Sequence, residues 1–538
     1  MKATLRFLLW LIAAGLLLSV ALVTWVNSLG KDDEGVSRPA YGSYTWVKPE
    51  LAPGVPAPQP TPRGGPTPRA DGYVVGSQGN DFILPPMPPE RAMDIHRQDS
   101  VFANSKLKSC FWPGPKLRPG FYTTDPDDYG IENQMPDTMN TFVTAWFRIP
   151  AGAKIVVKGE FPRMRHWSFT TYTDDGIPRD ALDDIDIEPD AGSFNPFRAG
   201  VPRDVSARRY SFSIESGEPP AKRPANTVYT LAAPGTAIGM HMRNYVPDRS
   251  ITYLGSVAVP EVELHLADGT VLTGEDACAA TAAPLRGKQV PITLPKAGWL
   301  AINNMPGSPA DHTSAHDFAV EGLERFYNRT YMTLRSYWPK LALDSLAVEK
   351  GGFWSNKSTR YGYKVLSQAY GKVYVVAGKM PSTPHTWNGD PAPLDQHADM
   401  RYWSLCTVQS PVAGAPVDCL FDEAVLPTLD PQGNFFAVIS RAPDRPSNAT
   451  EACGVAWMEY GNGDGVPGGS PDYGSIINRH TGVNPNFKRS WFAVQKPQAE
   501  NESMGEYLPY VINFREKAKF EALGCPVDKA KILAMTNK

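Results

Sequence analysis

Two rows of side chains in this sequence have the types and spacing to hold a ligand or move a proton. The first is Met240-His241-Met242-Arg243-Asn244-Tyr245. Side chains of an extended strand alternate between faces, so the methionines share one side while His241, Arg243 and Tyr245 share the other, with Arg249 close behind. An imidazole that titrates near neutrality beside a permanent guanidinium can bind a carboxylate, phosphate or sugar, or act as acid or base. The polar outer face of a sheet has the same pattern. The second row is Arg165-His166-Trp167-Ser168-Phe169-Thr170-Thr171-Tyr172. Period two puts Arg165, Trp167, Phe169 and Thr171 on one face and His166, Ser168, Thr170 and Tyr172 on the other. Trp167 and Phe169 belong in a core. Arg165 then sits at its rim, where Asp175 or Glu423 could pair it, and Arg165 and His166 join the ligand candidates.

A third feature is acidic. Asp183, Asp184, Asp186 and Asp190 crowd one short run, a candidate calcium set if the chain lies outside the cytoplasm. The EF-hand pattern fails, because counting from Asp186 the sixth position is Ala191 and the twelfth is Phe197. A solvated acidic loop is the plain reading. No Gly-x-Ser-x-Gly, His-Glu-x-x-His, phosphate-binding Gly-x-x-x-x-Gly-Lys or Cys-His haem motif is present, which lowers the weight of hydrolase, NTPase and haem functions.

The elements that must position these residues are strands, and they occur twice. Gly152 to Pro162 followed by Arg165-His-Trp-Ser168 matches Gly371 to Pro381 followed, after an insertion, by Arg401-Tyr-Trp-Ser404. Each copy carries a β-branched run, a Gly-x-x-Pro turn and a strand opening on Arg-x-Trp-Ser. Further along, Gly239-Met-His-Met242 and Leu254-Gly-Ser256 find candidate counterparts in Gly454-Val-Ala-Trp-Met458 and Tyr473-Gly-Ser475. The fold expected is mainly β: two tandem antiparallel sandwich or jelly-roll-like units joined by a helix, with one N-terminal transmembrane helix. Boundaries fall at 1–30 for a cytoplasmic tip and signal anchor, 31–71 for a linker, 72–298 for the first β-domain, 299–350 for the helical connection and 351–538 for the second β-domain.

Residues 7–26 form an uncharged apolar run long enough to span a bilayer, with Lys2 and Arg6 before it and Asp32, Asp33 and Glu34 after it. This orientation leaves the N-terminus cytoplasmic and the bulk periplasmic or extracellular. The linker is proline-rich and extended. Cys110, Cys278, Cys406, Cys419, Cys453 and Cys525 lack a Cys-x-x-Cys pair and read as disulfides, with Cys406 and Cys419 on neighbouring strands and Cys453 joined to Cys525. Among 538 residues the net charge is −3 without a basic run, so nucleic acid is excluded as a partner.

Pro136-Asp-Thr-Met-Asn140, Phe161-Pro-Arg-Met-Arg165, Trp167 to Tyr172, Asn195-Pro-Phe-Arg198, Asn226-Thr-Val-Tyr229, Tyr245-Val-Pro-Asp-Arg249, Val259-Pro-Glu-Val262 and Leu272-Thr-Gly274 together resemble a family of bacterial secreted or membrane-anchored proteins of unknown function. The stretch is also distantly similar to domain-of-unknown-function β-proteins with a Trp-Ser-Leu-Thr strand. The resemblance covers 110–278 well and implies fold and compartment, not a reaction. The functional expectation is a membrane-anchored extracytoplasmic protein that binds a small molecule or a membrane-protein partner. The alternative is a periplasmic or surface enzyme, hydrolase-like, acting on a sugar or small ester; no cofactor beyond calcium is implied.

Overall fold

A computed structural model describes residues 112–113, 137, 139–173, 178–248, 254–283, 356–368, 371–409, 416–464, 471–494 and 500–536. The apolar run at 7–26, the linker, the helical connection at 299–350, Cys110 and Arg249 lie outside the described residues. Among the described residues no helix is long and apolar enough to cross a membrane.

The chain is mainly β. Its first half contributes β1 (Trp112–Pro113), β2 (Asn140–Phe147), β3 (Lys154–Glu160), β4 (Met164–Tyr172), β5 (Pro178–Asp183), β6 (Arg209–Glu215), β7 (Thr227–Tyr229), β8 (Ile238–Pro247), β9 (Glu261–His265) and β10 (Val271–Thr273). The second contributes β11 (Thr359–Ser367), β12 (Val373–Lys379), β13 (Met400–Val408), β14 (Pro416–Phe421), β15 (Asn434–Ser440), β16 (Ala456–Glu459), β17 (Tyr473–Val483) and β18 (Tyr510–Phe514). Among the described residues these form four sheets: β1-β2-β8-β4-β5 (sheet I), β10-β9-β3-β6-β7 (sheet II), β11-β17-β13-β14 (sheet III) and β16-β15-β12-β18 (sheet IV).

The repeat seen in sequence extends through this topology. The order β2-β8-β4-β5 has its copy in β11-β17-β13-β14, and β9-β3-β6-β7 in β18-β12-β15-β16. The expectation of purely antiparallel units is corrected: β6 pairs β7 and β15 pairs β16 in parallel, once per copy. The counterpart of β8 is also corrected. Ser168 lies opposite Arg243 and Ser404 opposite Arg479, so β8 corresponds to β17, not to the segment around 454–458. Arg243 and Arg479 are therefore equivalent positions.

Alternation explains the cores. From sheet I, Val143, Trp167, Phe169, Met240 and Met242 meet Ile155, Val157, Phe212 and Leu264 of sheet II. From sheet III, Trp403 and Leu405 meet Tyr374, Val376, Ala437 and Ile439 of sheet IV. Truncating one such aromatic side chain costs roughly 3–5 kcal/mol. The C-terminal helices Lys517–Glu521 and Lys529–Thr536 cover the far face of sheet IV through Phe520 and Ile532. At Gly152 the backbone takes φ +72°, and a Cβ there would lie 2.9 Å from that of Ala267, which is why glycine closes the β2–β3 turn.

Strands β4, β8 and β13 are buried along their whole length, on both faces. The second face of sheet I packs on sheet III: Met139, Tyr245 and Val246 belong to the same apolar cluster as Tyr402 and Trp403. His241, Arg243 and Tyr245 thus stand between the two halves and not on a solvated outer face, each at 3 % exposure.

Candidate functional site

Arg165 leaves the first half altogether. Its guanidinium donates to Asp422 and Glu423, and its Nε donates to Thr386 Oγ1 at 3.2 Å. Burial works against its charge, yet Asp422 and then Glu423 hold it above its ordinary pKa. Glu423 also accepts the backbone N–H groups of Thr386 and Trp387, both at 2.8 Å. The equivalent Arg401 crosses in the other direction and donates to the Phe197 carbonyl at 2.8 Å. Burial lowers its pKa, while Asp184 and Asp183 act in the opposite sense. Each copy therefore presents an arginine to the acidic turn of the other. Asp184 and Asp422 occupy matching posts, accepting from Trp167 N at 2.7 Å and Trp403 N at 3.1 Å.

Between these crossings lies the His241 row. Arg243 donates to the Tyr172 hydroxyl, lies 5.4 Å over that ring and contacts His241 Nδ1 at 3.4 Å. Burial, then the adjacent Arg243, push His241 well below the ordinary histidine range, so its imidazole is neutral. Burial likewise pushes the Tyr172 phenol up to about 12 and raises that of Tyr245, keeping both neutral. Burial opposes the charge of Arg243, but Tyr172, Tyr245 and Tyr361 outweigh it and the guanidinium stays cationic. Asn356 of the second half donates to Tyr245 Oη at 2.7 Å and, through its backbone N–H, to Tyr361 Oη at 3.1 Å.

His166 faces the same layer. Its Nδ1 meets Asp184 Oδ2 at 2.8 Å and its ring lies 5.2 Å from that of Tyr245. Burial alone would lower its pKa, but Asp184 reverses the shift and raises it. Its Nε2, Ser168 Oγ and Asn140 Oδ1 are buried polar atoms without a hydrogen-bond partner among the described residues. All three belong to the face of sheet I turned toward sheet III.

Two residues that sequence reasoning missed close the other end. Asp137 accepts from Met139 N at 2.9 Å, from Tyr402 Oη at 2.8 Å and from Ser404 Oγ, with Arg479 at 3.5 Å. Arg479 also donates to Cys406 Sγ at 2.9 Å. Aligning β17 on β8 would have revealed Arg479; Asp137, Tyr361 and Asn356 carry no periodic signal.

The acidic run does not converge. Asp183 accepts from Ser358 Oγ, Asp184 holds Trp167 N and His166, Asp186 is half-buried in the turn Asp184–Asp186, and Asp190 accepts from Ser211 Oγ at 3.2 Å. Among the described residues, the ligand-type atoms that do gather are those of Asp137, Cys406 and Cys419, within 4.8 Å. Both sulfurs are in a disulfide and Arg479 lies against them, an arrangement unsuited to a cation. The expected pairs Cys406–Cys419 and Cys453–Cys525 are formed, and Cys278 is also disulfide-bonded.

No family model and no curated protein matches the chain. Among solved structures it is similar to an uncharacterised protein of Burkholderia cenocepacia, with 13 % identity and a TM-score of 0.37, covering 80 % of this chain and 88 % of that one. A Vibrio parahaemolyticus protein is similar at 11 % identity and a TM-score of 0.34, covering 71 % and 90 %.

Proposed function

We propose that the chain is a membrane-anchored, extracytoplasmic binding protein, built as two tandem sandwich units, that holds a small oxygen-rich molecule between sheets I and III. The apolar run at 7–26 and the two described disulfides support the compartment. The observation that carries the reading is the set of buried, unpartnered atoms His166 Nε2, Ser168 Oγ and Asn140 Oδ1 in the layer that also holds Arg243, Tyr172 and Tyr245. Leaving one such atom unsatisfied costs about 1–3 kcal/mol, so three together rival the whole stability of a typical domain, about 5–15 kcal/mol. A guest with several oxygens would satisfy them, and the Arg243 guanidinium beside neutral phenols favours a negatively charged one. Asp184 is engaged by His166, which weighs against the hydrolase alternative, since that reading needs the acidic run to serve His241.

The test is native mass spectrometry of the full chain extracted from its membrane in mild detergent. The wild type is expected to retain a small polar mass that Arg243→Gln and Ser168→Ala lose. Ser168→Ala removes an unpartnered hydroxyl, so a purely structural layer would leave it as stable as the parent or more so. A bare wild-type protein whose melting midpoint is unmoved by carboxylates, phosphates and sugars overturns the reading.

A further inference from the structure

The insertion that separates the second copy's Gly-x-x-Pro turn from its Arg-x-Trp-Ser strand lies across the first half. Leu394 enters the core between sheets I and II, and Arg203 donates from its backbone to Pro391 O at 2.9 Å and from Nη1 to Asp390 O at 2.5 Å. Under this strap three guanidiniums gather around one buried carboxylate. Arg203 donates to Asp248, and Arg208 donates to the Arg203 carbonyl. Arg163 follows the Phe161-Pro162 turn, and its carbonyl accepts from Asp248 N at 3.3 Å. Arg203 and Arg208 are each 5 % exposed and Asp248 is 7 % exposed, while Arg163 is half-buried.

The cations exceed what the cluster neutralises. Arg203 uses its charge on Asp248. The fields that Arg208 feels are those of Arg163 and Arg203, against Glu160, which is exposed, and Asp248. Burial, then those two arginines, lower the Arg208 pKa to about 10, so its positive charge is held at a cost that an anion would relieve. The Nε of Arg208 is buried and has no hydrogen-bond partner among the described residues. Asp390, the strap residue whose carbonyl meets Arg203, turns its carboxylate to Ala392 N at 2.9 Å.

We propose that Arg163 and Arg208 form a binding site for a phosphate-type oxyanion at the seam between the strap and the first half, with Arg203 and Asp248 fixing its floor. Guanidinium forks suit tetrahedral oxyanions, and the half-buried Arg163 is the side from which one enters. This site uses none of the residues of the layer between sheets I and III.

The experiment is calorimetric titration of the full chain in uncharged detergent with sodium phosphate, against sodium chloride at matched ionic strength. Phosphate is expected to bind where chloride does not, and Arg163→Gln to weaken it at least tenfold; Arg208→Gln should abolish binding, and if that variant fails to fold, Arg163→Gln decides. A parallel titration with short-chain phosphatidic acid separates the sources: tighter binding than inorganic phosphate assigns a lipid headgroup, equal or weaker binding the free anion. Phosphate heats indistinguishable from chloride, or wild-type affinity in Arg163→Gln, overturn the proposal.

Discussion

Replacing Arg165 by methionine tests the link between the halves directly. Methionine keeps much of the apolar stem volume and removes the guanidinium, leaving Asp422 fully buried and Glu423 nearly so, without their cation. Breaking a buried pair from one side costs about 3–5 kcal/mol, because the surviving charge has neither water nor a counter-ion. Burial already holds the Asp422 carboxyl above its ordinary range in spite of Arg165, so deleting the arginine raises it further. The folded state then keeps a proton that the unfolded state has released, and stability falls as pH rises through that window. The deficit of Arg165→Met should therefore grow as pH rises above the ordinary carboxylate range and shrink as pH falls toward about 4. Urea unfolding followed by tryptophan fluorescence reads this, since Trp167 and Trp403 report on the two cores. A triple variant that adds Asp422→Asn and Glu423→Gln should regain most of the loss. A deficit under about 1 kcal/mol, the scale of a surface ion pair, or one independent of pH, would refute the argument.

Three further outcomes follow from the same geometry. Burial pushes Asp418 up to about 8, so stability should decline as pH rises from about 4 to about 8, and Asp418→Asn should flatten that slope in pH-dependent unfolding. Removing Cys453–Cys525, which closes 72 residues of chain, should cost about 1.5 kcal/mol more than removing Cys406–Cys419, which closes 13, when double alanine variants are compared in urea. Gly362→Ala places a Cβ 1.9 Å from a Trp491 ring carbon, so it should lose about 1–3 kcal/mol or more and perturb the environment of that indole in near-ultraviolet circular dichroism.

The β fold was legible because strands β3, β4, β12 and β13 carry β-branched and aromatic residues, with a turn signature printed twice. Alternation also placed Trp167 and Phe169 correctly in a core. It could not say what lies on the opposite face. His166, His241 and Arg243 have the composition of a wetted surface, and only the packing of one copy on the other buries them. The parallel partners β7 and β16 are three and four residues long, too short for a pattern to emerge. Residue identity misled the match of β8, since His241 stands where the second copy has Ile477 and Tyr245 where it has Thr481, leaving Arg243 and Arg479 as the shared mark.

These substitutions separate what both copies need from what one copy does. Arg165 and Arg401, Asp184 and Asp422, and Trp167 and Trp403 are the same pieces used reciprocally, so the Arg-x-Trp-Ser signature belongs to the joint between the halves. Asp180 and Asp418 are a second matched pair, each accepting backbone N–H groups from its own strand and the neighbouring sheet. There the copies part: Asp180 is bound by Arg223, while the described side-chain partners of Asp418 include no cation. The face between the halves is equally uneven. The second copy lines it with Ile477, a disulfide and a Ser404 hydroxyl satisfied by Asp137 of the first half, whereas the first lines it with His166, a Ser168 hydroxyl without a partner among the described residues, His241 and Tyr245. A joint needs only the symmetric pieces. The unmatched polar groups are therefore where a task beyond holding the halves together is to be sought, and they lie on β4 and β8 of the first copy.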